Sequence, residues 1–296
     1  MKPEHSTLNI TPQQISPDAH FQIASFSDLP ISVIEDHICS RISTHEEFQS
    51  FTLVCKQFKQ AAYQTYFYKH YILRLPNSGI FALFMSEPSL LISRYEKIDL
   101  SESVIDNQGL SLLSRKTRIV TDCRFTWCIL LTPDAIISFL KNTAYLQSLN
   151  LDYCYDVNSD VLDCISQACP RLERLSLSHL NKITIESILN LLEKCSNMKE
   201  LTLRATYNLN DMRIVDIFKK GKNLERVDLS HSSFVSNDIL EQIVAAILEN
   251  QQSHQKPFEL ILERNDLLKA EFVDSIQAEN PTIYIRYSPL PLEINS

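Results

Sequence analysis

The sequence contains very little glycine, with only Gly79, Gly109 and Gly221 among 296 residues. Phosphate-binding loops of the P-loop and Rossmann types need closely spaced glycines so that the backbone can approach the phosphates. The longest purely apolar runs, such as Ile243–Leu248, have six residues, whereas a membrane-spanning helix needs about 20. The sequence therefore excludes these nucleotide-binding motifs and predicts no membrane insertion.

An excess of positive charge is also absent, because 28 basic and 36 acidic residues give a net charge of -8. A negative protein repels a phosphate backbone, so we do not expect nucleic acid as a partner. The first residues, Met1–Asn9, are polar and lack the apolar stretch of a secretory signal. We expect a cytoplasmic protein, with the nucleus as an alternative location.

The eight cysteines do not have the spacing of a metal site. Zinc sites pair cysteines two to four residues apart and bring four ligands together, and neither Cys123 with Cys128 nor Cys164 with Cys169 belongs to such a set. We therefore expect reduced, buried thiols, no metal and no cofactor.

An internal repeat dominates the rest of the chain. The pattern L-x-x-L-x-L begins at residues 146, 172, 198 and 224, and weaker copies begin at 70, 95, 120, 257 and 282. Apolar residues at helical spacing follow each copy, as at Val161, Leu162 and Ile165. One unit is thus predicted to be a short strand, a turn and a helix, and stacked units would share one core. The long interval between 224 and 257 predicts either a longer helix around 239–248 or a polar loop over 249–256.

This repeat resembles the leucine-rich-repeat family over residues 70–290. The period of 26, with Cys128 and Cys154 at the ninth position, is similar to the cysteine-containing subtype. The resemblance implies an α/β fold, a curved solenoid of about nine strand–helix units. Residues 291–296 are predicted to be a tail.

Three short amphipathic helices are predicted over residues 26–69, after a tail at 1–25. Ser27 and Asp28 cap the first helix, and Thr44 with Glu47 forms a capping box for the second. The runs Phe26–Pro30 and Leu53–Phe58 resemble the F-box. The resemblance implies binding to the Skp adaptor, and through it to a cullin, with the adaptor-binding residues Leu29, Pro30, Ile34, Leu53, Val54 and Phe58. The alternative is that these residues only close the small core and cap the solenoid.

Strand geometry identifies the face that would bind a target. If positions four and six of each copy point into the core, positions three, five and seven point to the concave side. These positions carry both signs of charge, which suits a protein partner because complementary charges fix the register of two proteins. The predicted target-binding residues are Asp152, Arg174, Glu200, Arg204, Arg226 and Asp228.

An F-box followed by leucine-rich repeats is similar to the substrate receptors of SCF-type ubiquitin ligases, which implies a non-catalytic subunit. One alternative is a leucine-rich-repeat scaffold or inhibitor outside any ligase. A second is a cysteine-dependent ubiquitin ligase, because Cys154-Tyr-Asp156 matches the C-x-D motif of some bacterial ligases. The Asn, Gln, Ile and Ser content also suits a bacterial effector that mimics a receptor in the cytoplasm of a host.

Overall fold

The structure is a computed structural model, and it describes residues 72–74, 95–115, 117–209, 212–251 and 256–288. All of these residues fall in Tyr68–Ser296, one of the two units into which the chain divides. The predicted tails and the predicted helical module lie outside the described residues. So do the predicted adaptor-binding residues, which are Leu29, Pro30, Ile34, Leu53, Val54 and Phe58.

Nine strands among the described residues form one parallel sheet, and each strand pairs with its neighbour in the sequence. A parallel strand needs a crossover that returns the chain to the same end of the sheet, and a helix supplies it in every interval from β2 to β9. The strands are β1 (Ile72–Arg74), β2 (Lys97–Asp99), β3 (Asp122–Arg124), β4 (Ser148–Asn150), β5 (Arg174–Ser176), β6 (Glu200–Thr202), β7 (Arg226–Asp228), β8 (Phe258–Glu263) and β9 (Ile283–Ser288). The helices are α1 (Asn107–Ser114), α2 (Pro133–Leu140), α3 (Ser159–Ala168), α4 (Ile185–Lys194), α5 (Ile214–Lys220), α6 (Asn237–Gln251) and α7 (Ala270–Glu279). The predicted α/β solenoid is confirmed.

The register of the sheet follows the spacing of the sequence repeat. Ser148 pairs with Arg174, and Arg174 pairs with Glu200, so equivalent positions of successive copies lie side by side. The long interval is bridged by the pairing of Arg226 with Glu259. Because side chains alternate along a strand, a slip of one residue would expose the core positions, and the apolar pattern therefore fixes this register.

The core lies between the sheet and the layer of helices. Leu149 and Leu151, at positions four and six of one copy, are buried, and so are Val161, Leu162 and Ile165 on α3. A fully buried leucine contributes about 1.5–3 kcal/mol. Because every repeat supplies the same positions, the core runs continuously along the stack.

Polar side chains start several of the helices. Asp106, Asn158 and Thr184 each accept a hydrogen bond from the backbone N–H three residues later, at 2.7, 3.3 and 3.3 Å. Pro133 occupies the first turn of α2, where a missing N–H costs no hydrogen bond. These caps end the turn that follows each strand and set the position of the next helix.

The ninth position of the repeat supports the backbone of the preceding copy. Cys128 Sγ donates to the Leu100 carbonyl at 3.0 Å, and Cys154 Sγ donates to the Phe125 carbonyl at 3.0 Å. Thr206 Oγ1 donates to the carbonyl of Leu177 at 3.3 Å, and Asn265 Nδ2 to that of Leu229 at 3.4 Å. A thiol, a hydroxyl or an amide can therefore donate to this carbonyl. Leu180 and Ser232 fill the same place without donating, since Leu180 has no donor and the buried Ser232 Oγ forms no hydrogen bond among the described residues.

The long interval contains a longer helix. Helix α6 has 15 residues, whereas α3 and α4 have 10 each. Its Asn250 Nδ2 reaches back to donate to the Phe218 carbonyl at 2.5 Å. The predicted helix extension is confirmed, and the helix runs three residues beyond the predicted end, through Gln251.

Candidate protein-binding surface

Charged side chains of both signs alternate across the predicted target-binding face. Arg174, Glu200, Arg226 and Glu259 lie at one register position on four successive strands, which are spaced about 4.8 Å apart. The predicted concave positions are solvent-accessible in the described repeats except for the buried residues Ser178, Ser230 and Ile261. Ile261 lies in register between Asp228 and Arg286 on the neighbouring strands.

The Asp152 carboxylate accepts hydrogen bonds from residues of its own strand region and of the neighbouring repeat. Its Oδ1 accepts hydrogen bonds from Ser176 Oγ and from the Ser178 backbone N–H, both at 2.7 Å, and its Oδ2 accepts from Asn150 Nδ2 at 2.9 Å. Thr126 Oγ1 extends this network by donating to Asn150 Oδ1 at 2.8 Å. The Asp152 carboxylate therefore organises β4 and its neighbours, and its predicted contact with a target stays a prediction.

Arg226 and Asp228 also have partners within the chain. Arg226 forms an ion pair with Glu259 at 3.1 Å, and Glu259 is shared with Arg286 at 2.9 Å. Asp228 Oδ1 accepts from the Ser230 N–H at 2.8 Å. Such exposed ion pairs contribute about 0–1 kcal/mol to the free energy of unfolding. The charged side chains therefore stay accessible to a partner protein. Within the part of the chain that is described, the Arg174 and Glu200 side chains form no ion pair or hydrogen bond.

The eighth position of the repeat has an unusual backbone. Seven residues there have positive φ between 52° and 62°, and none is glycine; they are Glu102, Trp127, Tyr153, His179, Ala205, His231 and Arg264. Backbone hydrogen bonds between repeats join them, such as Trp127 N–H to the Asp152 carbonyl at 3.0 Å and Tyr153 N–H to the Ser178 carbonyl at 3.0 Å. Hydrogen bonding between neighbouring repeats thus continues beyond the strand ends, and it stabilises the strained left-handed backbone at the eighth position.

Three of these residues stack as an aromatic ladder, defined here as Trp127, Tyr153 and His179. The Trp127 and Tyr153 rings lie 4.3 Å apart at 11°, and the Tyr153 and His179 rings lie 4.0 Å apart at 15°. Tyr155 meets the Trp127 ring edge-on at 5.9 Å. Sequence reasoning did not identify this ladder. The sequence feature that indicates the ladder is a ring-bearing residue at the eighth position of three successive copies of the repeat.

An apolar ledge lies beside the ladder. It consists of Trp127, Ile129, Leu130 and Tyr155, with 42%, 60%, 52% and 45% of each residue exposed. The Trp127 and Tyr155 rings contact each other, and Ile129 and Leu130 follow Trp127 in a turn closed by the Ile129 N–H to Trp127 carbonyl hydrogen bond at 3.0 Å. Isolated exposed apolar residues are common, whereas several from adjacent repeats are typical of protein interfaces. The ledge is therefore the strongest candidate for a binding hot spot among the described residues.

Arg204 lies next to two histidines along the same edge. One Arg204 guanidinium nitrogen donates to His231 Nε2 at 2.9 Å, which requires the neutral His231 ring. Burial and the nearby Arg204 charge lower the pKa of both His179 and His231, against raising effects of Asp152 on His179 and of Asp228 and Glu263 on His231. Arg264 lowers the pKa of His231 as well, so at neutral pH both imidazoles are uncharged and the cations beside them are Arg204 and Arg264.

The described cysteines are buried. Cys154 is 2% exposed, and burial raises the pKa of its thiol to about 12. Burial likewise raises the pKa of Cys128 and of Cys195 to about 11. A buried thiol with a high pKa is a poor nucleophile. Among the residues whose positions are described, no cluster of three potential metal ligands occurs, and no helix is long and apolar enough to cross a membrane.

Comparison with known proteins supplies a structural match. No protein-family model and no curated protein matches this chain. A chain of the yeast Rad7–Elc1 complex superposes with a TM-score of 0.55 at 17% identity, covering 84% of this chain and 69% of that one. The fold is a leucine-rich-repeat solenoid. The tropomodulin C-terminal domain of Caenorhabditis elegans matches 50% of this chain and 95% of its own, at 15% identity and a TM-score of 0.39, which does not establish a shared fold.

Proposed function

We propose that this chain is the substrate-recognition subunit of an SCF-type cullin-RING ubiquitin ligase. The helical module would bind the Skp-type adaptor, and the repeat face would bind a target protein. The observation that carries the target-binding role is the exposed face of alternating charge beside the apolar ledge. Aromatic anchors with a polar surround are typical of protein interfaces.

The adaptor-binding role rests on the F-box-like residues between Leu29 and Phe58. A chain with the same solenoid fold occurs in the Rad7–Elc1 complex, which supports a role for this fold in assemblies with a second protein. In this proposal the chain acts by holding its target close to the ligase, so that proximity accelerates transfer without a catalytic residue. The location that fits this role is the cytoplasm or the nucleus.

Pulldown of a recombinant Skp-type adaptor by the full chain tests the proposal. The double variant Leu29→Ala, Pro30→Ala is expected to lose the adaptor while its thermal melt changes little, because the proposal assigns both side chains to the adaptor interface. The matched control, Gln13→Ala with Gln14→Ala, lies in the predicted tail and should retain the adaptor. Retention by the first variant, or its complete unfolding, would contradict adaptor binding through these residues.

A scaffold or inhibitor outside any ligase is the second candidate. It is favoured by the ledge and the face of alternating charge, which both come from the repeats and would bind a protein without an adaptor. Target binding with unchanged affinity in the Leu29→Ala, Pro30→Ala variant, together with no adaptor bound to the wild-type chain, would select this alternative.

A further inference from the structure

The apolar ledge and Arg204 lie along one edge of the solenoid. The ledge comes from the repeats that begin at 120 and 146, and Arg204 comes from the repeat that begins at 198. Backbone hydrogen bonds join the residues between them, including His179 N–H to the Arg204 carbonyl at 2.9 Å. The two features are therefore held at a fixed separation by the repeat stack.

The rings of the ladder are arranged for contact at their edges. Tyr153 is covered on both faces, by Trp127 on one side and by His179 on the other. A flat ligand cannot insert into this stack, and Ile129 and Leu130 add aliphatic surface without hydrogen-bonding groups. Such a surface suits a large apolar side chain of a protein better than a sugar or a nucleobase, and the net charge of -8 further disfavours a nucleic acid.

Arg204 offers donors to an anion. A guanidinium has five N–H donors, and the one hydrogen bond that the Arg204 side chain forms within the described repeats is to His231. Within the described repeats Arg204 forms no ion pair. Two carboxylates along this edge already accept hydrogen bonds, since Asp152 accepts from Ser176 and Ser178, and Asp228 accepts from Ser230. Glu263, which acts on His231, forms no ion pair with Arg204. The remaining donors match a carboxylate, which an arginine can bind with two parallel hydrogen bonds.

The spacing defines the ligand. Strands stacked about 4.8 Å apart put two to three repeats, or about 10–14 Å, between the ledge and Arg204. An extended peptide covers that distance in about three to four residues. We propose that the ledge and Arg204 together bind an extended segment of the target protein in which a large apolar side chain and an Asp or Glu are three to four residues apart. This inference rests on the proposed role as a target receptor.

Selection from a phage-displayed library of random dodecapeptides, with the full chain immobilised, tests the inference. We expect the enriched peptides to share a large apolar residue three to four positions from an Asp or Glu. One such peptide, labelled with fluorescein, would then be titrated by anisotropy. Ile129→Ser and Arg204→Gln should each weaken its binding at least about tenfold, which is the loss of one hot-spot contact.

Two controls make the result specific. Leu267→Ser removes a similarly exposed apolar side chain from another repeat, and Arg213→Gln removes an exposed arginine at the start of α5, outside the strand positions of the target-binding face; both should leave the affinity unchanged. Replacing the peptide carboxylate by its amide should weaken binding to the wild type but add little loss in Arg204→Gln. Failure to enrich any peptide, enrichment of an unrelated pattern, or equal effects of the test and control variants would overturn the inference. Adaptor pulldown tests the proposed ligase role and does not depend on peptide binding. A chain that binds the peptide but no adaptor would contradict only the ligase role, and a chain that binds the adaptor but no such peptide would contradict only this inference.

Discussion

Replacing residues at the eighth position by glycine tests whether the aromatic ladder stabilises a strained backbone. A non-glycine residue in the left-handed region costs about 1–2 kcal/mol, and glycine removes that cost while adding about 0.5–1 kcal/mol of chain entropy. Glu102 has a φ of 58°, and its side chain is exposed. Glu102→Gly is therefore expected to raise the free energy of unfolding by about 0–1.5 kcal/mol.

Tyr153→Gly gains the same backbone relief but loses its ring contacts. Each stacked aromatic pair contributes about 0.5–1.5 kcal/mol, and the half-buried ring loses further apolar contact when it is removed. The net change is therefore expected to be a loss of about 1–3 kcal/mol. Urea unfolding of the full-length variants, followed by circular dichroism, measures both changes. Equal midpoints for the two variants would refute a stabilising ladder, and a destabilised Glu102→Gly would refute the backbone strain.

Three further expectations concern packing and titration. Gly221→Ala should lower the free energy of unfolding by about 1–3 kcal/mol, because a Cβ there would clash with Leu224 and lie 2.8 Å from the Ile217 carbonyl; a wild-type urea midpoint would contradict this. The lowered pKa of His179 and His231 means that the unfolded chain binds more protons, so stability should fall as the pH drops below 6.5, and replacing both histidines by glutamine should flatten this part of the pH profile. Thiol labelling at pH 8 should modify at most two of the eight cysteines in the native chain and all eight in urea, and a third reactive thiol would contradict the burial of Cys123, Cys128, Cys154, Cys164, Cys169 and Cys195.

The sequence was sufficient to predict the repeat architecture and its register. Stacked parallel strands must place equivalent residues side by side, so the spacing of Leu149, Leu175 and Leu201 in the sequence becomes their pairing in the sheet. The same reasoning predicts a longer crossover before β8 but leaves a longer helix and a polar loop as alternatives, and the structure shows the longer helix α6. The cysteines at the ninth position suggest a buried thiol, and in the structure Thr206 and Asn265 donate to the preceding carbonyl in the same way as Cys128 and Cys154.

The candidate site was harder to predict. Left-handed backbone at Trp127 and Tyr153 depends on hydrogen bonds between repeats, and no glycine marks these turns. The contacts of Asp152 were also hidden, because its charge suggested an open binding residue while Ser176 and Ser178 already donate to it. Local patterns identify which residues face the surface, whereas the partners that a surface residue finds are set by side chains 26 residues away.

Sedimentation of the full chain with both proposed ligands tests the central claim most directly. The sample would contain the chain, a recombinant Skp-type adaptor and the fluorescein-labelled peptide selected on the ledge, with absorbance recorded for the peptide label. We predict that the labelled peptide sediments with a complex of the wild-type chain and the adaptor. In the Leu29→Ala, Pro30→Ala variant, the labelled peptide should sediment with the chain without the adaptor. Displacement of the peptide by the adaptor, or a label that sediments with the wild-type chain alone, would contradict the account.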